Sequence, residues 1–255
     1  GLVALLEPAA FVSYNILALF CCLAVLPLTL SRREAPMADG APALRPWRVF
    51  ALSPLGGATA LAAGLTGASF RMVGPVYGAE IGLSPQGVAL FLAAAVLGGA
   101  AAQLPVGWAS DRIDRRIVLI ALSAGAVAVC GAALFGGDAS IFAVAFAFGA
   151  ASFPLYSVGA AHANDHAAPG AIVELNASLM FLFGVGAIVS PLLAAVLIAL
   201  FGPSALFAYI ALAHVALVGF GIWRMTRRRA IRPRAPYTYL PRTSFLLGRL
   251  ARRRG

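Results

Sequence analysis

Seven apolar runs alternate with short polar segments along this chain, at about 9–30, 49–73, 86–108, 117–135, 140–161, 174–200 and 204–223. Each is long enough to cross roughly 30 Å of hydrocarbon at about 1.5 Å per residue, which predicts membrane-spanning helices. Local signals mark their edges. Ser84-Pro85 offers a capping hydroxyl and a proline for the first turn of the third run. Gly202-Pro203-Ser204 does similar work before the last run, and Trp223 stands at its far boundary, where indole prefers the interface. Pro154 predicts a kink in the fifth run, and Gly74-Pro75 a break just after the second.

Small residues recur every fourth position within the runs: Gly56, Ala60, Gly64 and Ala68; Ala94, Gly98 and Ala102; Gly186, Ser190 and Ala194. Helices bearing such stripes can approach closely, which matters in lipid, where apolar burial gives no reason to pair.

Composition agrees with a polytopic helical membrane protein. The chain is 61% hydrophobic and 11% charged, with a mean hydropathy of +0.91, too apolar for a soluble domain of this length. The net charge of +10 comes from 19 basic residues, all arginine, and every one except Arg71 lies in a connecting segment or the tail. Positive-inside topology accounts for that excess, so nucleic acid is not an expected partner. Arg32, Arg33, Arg45 and Arg48 fall in 31–48, a proline-punctuated linker; Arg112, Arg115 and Arg116 fall in 109–116; eleven arginines fall in the tail from Arg224 onward. The segments near Glu80, Asp138 and Gly202 contain none. With the basic segments cytoplasmic, Gly1 lies outside and the tail inside. The remaining loop, 162–173, contains no arginine and gives a weak vote. The start at Gly1 and the interruption at Glu7-Pro8 predict a piece of a longer polypeptide and no signal peptide. Cys21, Cys22 and Cys130 lie inside apolar runs and are expected to pack as buried small hydrophobes.

The most specific pattern is Gly107-Trp108-Ala109-Ser110-Asp111-Arg112-Ile113-Asp114-Arg115-Arg116. Five ionised side chains in ten residues cannot sit in hydrocarbon, so the block reads as a short cytoplasmic loop. Its spacing (Gly, three residues, Asp-Arg, one residue, Arg-Arg) resembles the loop signature of the major facilitator superfamily of transporters, with Asp114 where that family usually has Gly. The resemblance covers essentially the whole chain. It implies an all-α polytopic membrane protein with seven transmembrane helices, the last six forming one six-helix half. Residues 1–30 would then be the last helix of an incomplete first half, 31–48 the central cytoplasmic loop, 49–223 the second half, and 224–255 a basic cytoplasmic tail. It also implies that Gly107, Asp111, Arg112, Arg115 and Arg116 form a gate, with Asp111 paired to Arg112 or Arg115 and to a helix of the other half. His162-Ala163-Asn164-Asp165, Gly184-Val185-Gly186-Ala187 and Ser190-Pro191 further resemble a poorly characterised bacterial branch described as sugar- or drug-transporter-like.

Polar groups on apolar helices are candidates for a solute path: Arg71, Gln103, Tyr156, Ser157 and Asn176. Each also has a plainer reading, Arg71 as a boundary arginine and the others as interhelical hydrogen-bonders. His162, Asp165 and His166 place two imidazoles one helical turn apart, a spacing that suits a metal, but end-capping of the fifth run explains them better. No nucleophilic triad, phosphate loop or dinucleotide fingerprint appears, so neither catalysis nor a cofactor is expected. Glu7, Glu80 and Glu174 stand near membrane edges, leaving no carboxylate at mid-span for proton coupling. The tail mixes its arginines with Tyr237, Tyr239, Phe245 and Leu250 and should attract anionic lipid. The expected activity is secondary active transport of a small solute by alternating access, with or without a coupling ion. The expected partners are that solute, membrane lipids and the first half of the same protein. A seven-span receptor or scaffold is the alternative, and it offers no reason for the charged block.

Overall fold

Serine and proline set the helix boundaries in the computed structural model, which describes residues 11–30, 45–136 and 141–227. Its described elements are helical: α1 (Phe11–Thr29), α2 (Pro46–Leu52), α3 (Pro54–Glu80), α4 (Pro85–Arg112), α5 (Arg115–Phe135), α6 (Ile141–Ser152), α7 (Leu155–Asn164), α8 (Ile172–Phe201) and α9 (Ala205–Arg227), with one 3-10 turn at Pro169–Ala171. Ser53 Oγ accepts the Gly56 N–H at 3.3 Å and Ser84 Oγ that of Gly87 at 3.1 Å, each one residue before a helix-opening proline. Gly82 and Gly202 adopt φ +85°, the left-handed conformation that ends α3 and α8. The linker 31–44, Glu7, Asp138 and the tail beyond Arg227 lie outside the described residues.

Five stretches are long and apolar enough to cross a membrane: α4, α5, α6 continued by α7, α8 and α9. Helix α3 is 27 residues long but sits inside the bundle, largely buried. In α1, the apolar stretch Tyr14–Pro27 is shorter. The outward faces stay apolar (Leu97, Leu104, Ile188, Leu192, Leu200) as lipid requires.

Helix α3 packs along α8, α4 along α6, and α5 along α9. The small-residue stripes form these crossings. A Cβ on Gly186 would lie 2.5 Å from the Leu61 carbonyl oxygen, and one on Gly64 would strike the Phe183 carbonyl. Gly98 and Gly149 meet Phe146 and Ala95 backbone in the same way, so α4 and α6 touch main chain to main chain. Towards one end, Phe70, Phe91, Phe148, Phe207 and Tyr77 form an aromatic core, with Phe70 and Phe148 stacked at 4.5 Å. The opposite end is filled by Leu55, Leu119, Leu155, Leu175, Leu179 and Leu217.

Four expectations need correction. The run at 49–73 divides at Ser53 into α2 and α3, because the Ser53 cap and Pro54 start a new helix. Gly74-Pro75 does not break α3, which continues to Glu80 with Pro75 inside it; neighbouring helices let membrane bundles tolerate a proline. The charged block is not an eight-residue loop, since α4 runs through Arg112 and α5 resumes at Arg115. Cys21 and Cys22 are exposed on α1, and Cys130 is buried. The fifth run is interrupted as expected, at Phe153 and Pro154 between α6 and α7.

Candidate functional site

The hairpin joining α4 to α5 turns on two residues, Ile113 and Asp114. Asp114 caps α5, its Oδ1 accepting the Arg116 N–H at 3.0 Å. The same carboxylate holds the Arg116 guanidinium, with Nη2 at 2.7 Å from Oδ2 and Nε at 3.2 Å. Two arginines in the first turn of a helix oppose its positive end, and the capping carboxylate offsets that charge where it arises. Arg116 is buried as a consequence of this pairing.

Arg115 lies between two carboxylates. Its Nη2 is 3.3 Å from Asp111 Oδ1 on the last turn of α4, and its Nε is 3.4 Å from Asp165 Oδ2. Asp165 ends α7, where the negative helix end disfavours an anion, so Arg115 also compensates an unfavourable placement. The chain Asp111–Arg115–Asp165 thereby ties α4, α5 and α7 together at one end of the bundle. Arg112 turns away and lies 4.2 Å from the Trp108 ring centre. Gly107 has open space around it. His162 is buried against this end and its ring is 4.8 Å from that of His166, whose Nδ1 is 2.8 Å from the His162 carbonyl oxygen. Among the described residues no three His, Cys, Asp or Glu side chains converge as a metal site.

The remaining candidates are dispersed. Arg71 is exposed, its guanidinium 5.5 Å from the Phe153 ring centre. Gln103 is exposed on α4. Tyr156 is half-buried, its hydroxyl 3.8 Å from Met180 Sδ and its ring edge-on to Phe183. Ser157 donates to its own helix at the Pro154 carbonyl, 2.8 Å away. Asn176 and Asn164 exchange amide hydrogen bonds at 3.0 and 3.4 Å, joining α8 to α7. Arg71, Tyr156, Ser157 and Asn176 each meet a different partner, Phe153, Met180, Pro154 and Asn164 respectively.

A carboxylate search along the spans misses His214, which is fully buried at the middle of α9. The signal for it is a lone imidazole on an apolar helix. Its Nε2 is 3.4 Å from Ser152 Oγ, and Ser152 is 3.4 Å from Thr66 Oγ1. Thr66 already donates to the Ala62 carbonyl at 2.9 Å. Ser152 therefore donates to Thr66 and accepts from His214, which leaves His214 Nδ1 as the buried nitrogen with no hydrogen-bond partner. A second polar line joins Ser69 to Ser190, which donates to the Leu65 carbonyl and stands 3.0 Å from the Tyr209 hydroxyl.

The bundle, its lipid-compatible surface and its charged hairpin define a polytopic helical membrane protein. The Major Facilitator Superfamily profile matches residues 58–254, and the chain belongs to that superfamily. It is 28% identical over 190 residues to an uncharacterised MFS-type transporter of Enterobacter sp. (strain 638), covering 74% of this chain and 49% of that one. It is 29% identical over 144 residues to another from Yersinia enterocolitica, covering 56% and 37%. The chain thus spans at most about half the length of these relatives. In fold it is similar to the POT family transporter PepTSo, with a TM-score of 0.60, 15% identity, and coverage of 81% of this chain and 46% of the other.

Proposed function

We propose that this chain forms the second half, with one helix of the first, of a secondary transporter that moves a small solute across a bacterial inner membrane by alternating access. The observation that carries this reading is the Asp111–Arg115–Asp165 chain, which joins three helices at a single end of the bundle. Ion pairs between helix ends suit a latch. They hold one arrangement without filling the path between halves, and a bias of about 1 kcal/mol shifts a two-state balance roughly fivefold. Asp111, Arg115 and Arg116, together with Gly107 and Arg112, act as this gate. Arg-rich segments lie on the cytoplasmic side, so the gate is cytoplasmic and Gly1 external. Residues 49–223 form the six-helix half, 31–48 the central loop and 224–255 the tail. Arg71, Gln103, Tyr156, Ser157 and Asn176 supply candidate contacts along the path, and catalysis has no part in the proposal.

The test is flux into liposomes by the complete two-half protein, with and without Asp111→Asn and Arg115→Ala. A panel of sugars, drugs and organic anions is offered under an imposed pH gradient. Flux that both variants reduce at least tenfold while insertion is retained supports the reading. Folded, inserted protein that moves nothing on the panel counts against it.

A further inference from the structure

A cavity of about 190 Å³ opens between α2 and the start of α8, lined by Arg45, Arg48, Val49, Leu52, Glu174 and Ser178 among others. It lies at the same end of the bundle as the charged hairpin, because α2 directly precedes α3 and Gly56 near the start of α3 packs against Ala163 of α7. Three features of this cavity point to a ligand. Two guanidiniums stand at its mouth, with Arg48 held by Glu174 at 3.3 Å while its side chain stays 61% exposed. The net charge of the three ionised groups is therefore positive. Helix α8 begins beside the cavity directly after the 3-10 turn, with no side-chain cap at Ala171, so its positive end favours an anion there. Ser178 is 1% exposed, lines the cavity, and its hydroxyl has no hydrogen-bond partner in the protein. A buried hydroxyl of this kind is costly to leave unmet.

The rest of the lining is apolar: Val49, Leu52, Ala168, Ala171 and Leu175. A free inorganic anion would lose its hydration against these side chains and gain nothing from them. The cavity is also smaller than sites that enclose a whole small molecule, which run roughly 300–1,000 Å³. It suits part of an amphiphile whose remainder continues past Leu52, which lines the cavity and is itself exposed. Trp47 on α2 is 80% exposed, as expected for a short helix at a membrane interface.

We propose that this cavity binds the headgroup and glycerol region of an anionic phospholipid. The phosphate diester lies against Arg45, Arg48 and the start of α8, and the acyl chains pass over Leu52. Glu174 keeps Arg48 at the mouth and limits the net attraction.

The test uses the full chain, delipidated in detergent and examined by native mass spectrometry with phosphatidylglycerol, phosphatidylcholine or inorganic phosphate added. The expected result is retention of phosphatidylglycerol about tenfold above phosphatidylcholine. Arg45→Ala with Arg48→Ala should abolish that preference. Ser178→Leu and Ala168→Leu fill the cavity but keep every arginine, and should abolish it too; Ala168 is exposed and its substitution spares the core. Preference that survives both filling variants would assign binding to general basic charge and overturn the proposal, as would equal retention of the two lipids. Displacement of phosphatidylglycerol by inorganic phosphate at millimolar concentration would make this a simple anion site and equally overturn it.

Discussion

Arg115 Nε lies 3.4 Å from Asp165 Oδ2, so the first turn of α5 is held to the residue that ends α7. Both side chains are only part-exposed, and each stands at the helix end that disfavours its charge, so the pair relieves both placements. Asp165→Asn should leave folding nearly intact, since an ion pair reached by solvent contributes about 1 kcal/mol or less. Transport by the complete protein should fall several-fold through a shift towards the cytoplasm-open arrangement. Flux compared with thermal unfolding in detergent separates the two effects. A large drop in unfolding temperature with flux unchanged would remove Asp165 from the gate.

Asp114 should matter more for stability than Asp111. It caps α5 and holds a buried guanidinium, whereas Asp111 makes one exposed i,i+4 pair. Loss of a helix cap costs about 1 kcal/mol, and disturbing a buried charge adds to it. Unfolding midpoints should fall in the order wild type, Asp111→Ala, Asp114→Ala. The reverse order would mean that the cap is not what anchors the hairpin.

The two kinds of glycine should behave oppositely. Gly186→Ala places a methyl against the Leu61 carbonyl and should cost about 1–3 kcal/mol through strain at the α3–α8 crossing. Gly107→Ala has open space around it inside α4 and should leave unfolding unchanged or raise stability by up to about 1 kcal/mol. Reduced flux from Gly107→Ala, with normal unfolding, would show that its free face is used by another part of the complete protein during closure.

The polar line through His214 gives a prediction about pairs. Ser152→Ala removes the partner of Nε2 and leaves the whole imidazole buried without a hydrogen bond, a loss of about 0.6 kcal/mol on average for bonds within membrane bundles, and up to about 1.7. His214→Leu combined with Ser152→Ala removes donor and acceptor together and should be less destabilising than Ser152→Ala alone. Denaturation of the two single variants and the double variant measures that coupling. Strict additivity would mean that the 3.4 Å contact contributes nothing.

Local chemistry was legible in the sequence and long-range pairing was not. Ser84-Pro85 and Pro154 announced a helix start and a break through groups within four residues of each other. The stripes at Gly64 and Gly186 announced close packing, though not that these two helices would be partners. The charged block misled on length: Asp111 and Arg112 remain helical because side chains at helix ends can pair with each other or lie on Trp108, so charge alone does not mark where a loop begins. Asp165 read as an end cap, because nothing near it in sequence reveals Arg115. Asn176 met its partner Asn164 across a turn whose path the sequence does not specify. Pro75 predicts a break that does not form, since a proline stops a helix only where nothing else supports the backbone.

The gap at Phe153 and Pro154 separates two lengths of helix that share α5 and otherwise have different companions. Above it α6 lies along α4 and α5; below it α7 lies against α3 and α5. An uninterrupted rod would carry a push at Ile141 straight through to Asn164. In the proposed transport cycle this interruption would serve as a universal joint, letting the lower piece tilt with Asp165 while the aromatic packing around Phe148 stays in place.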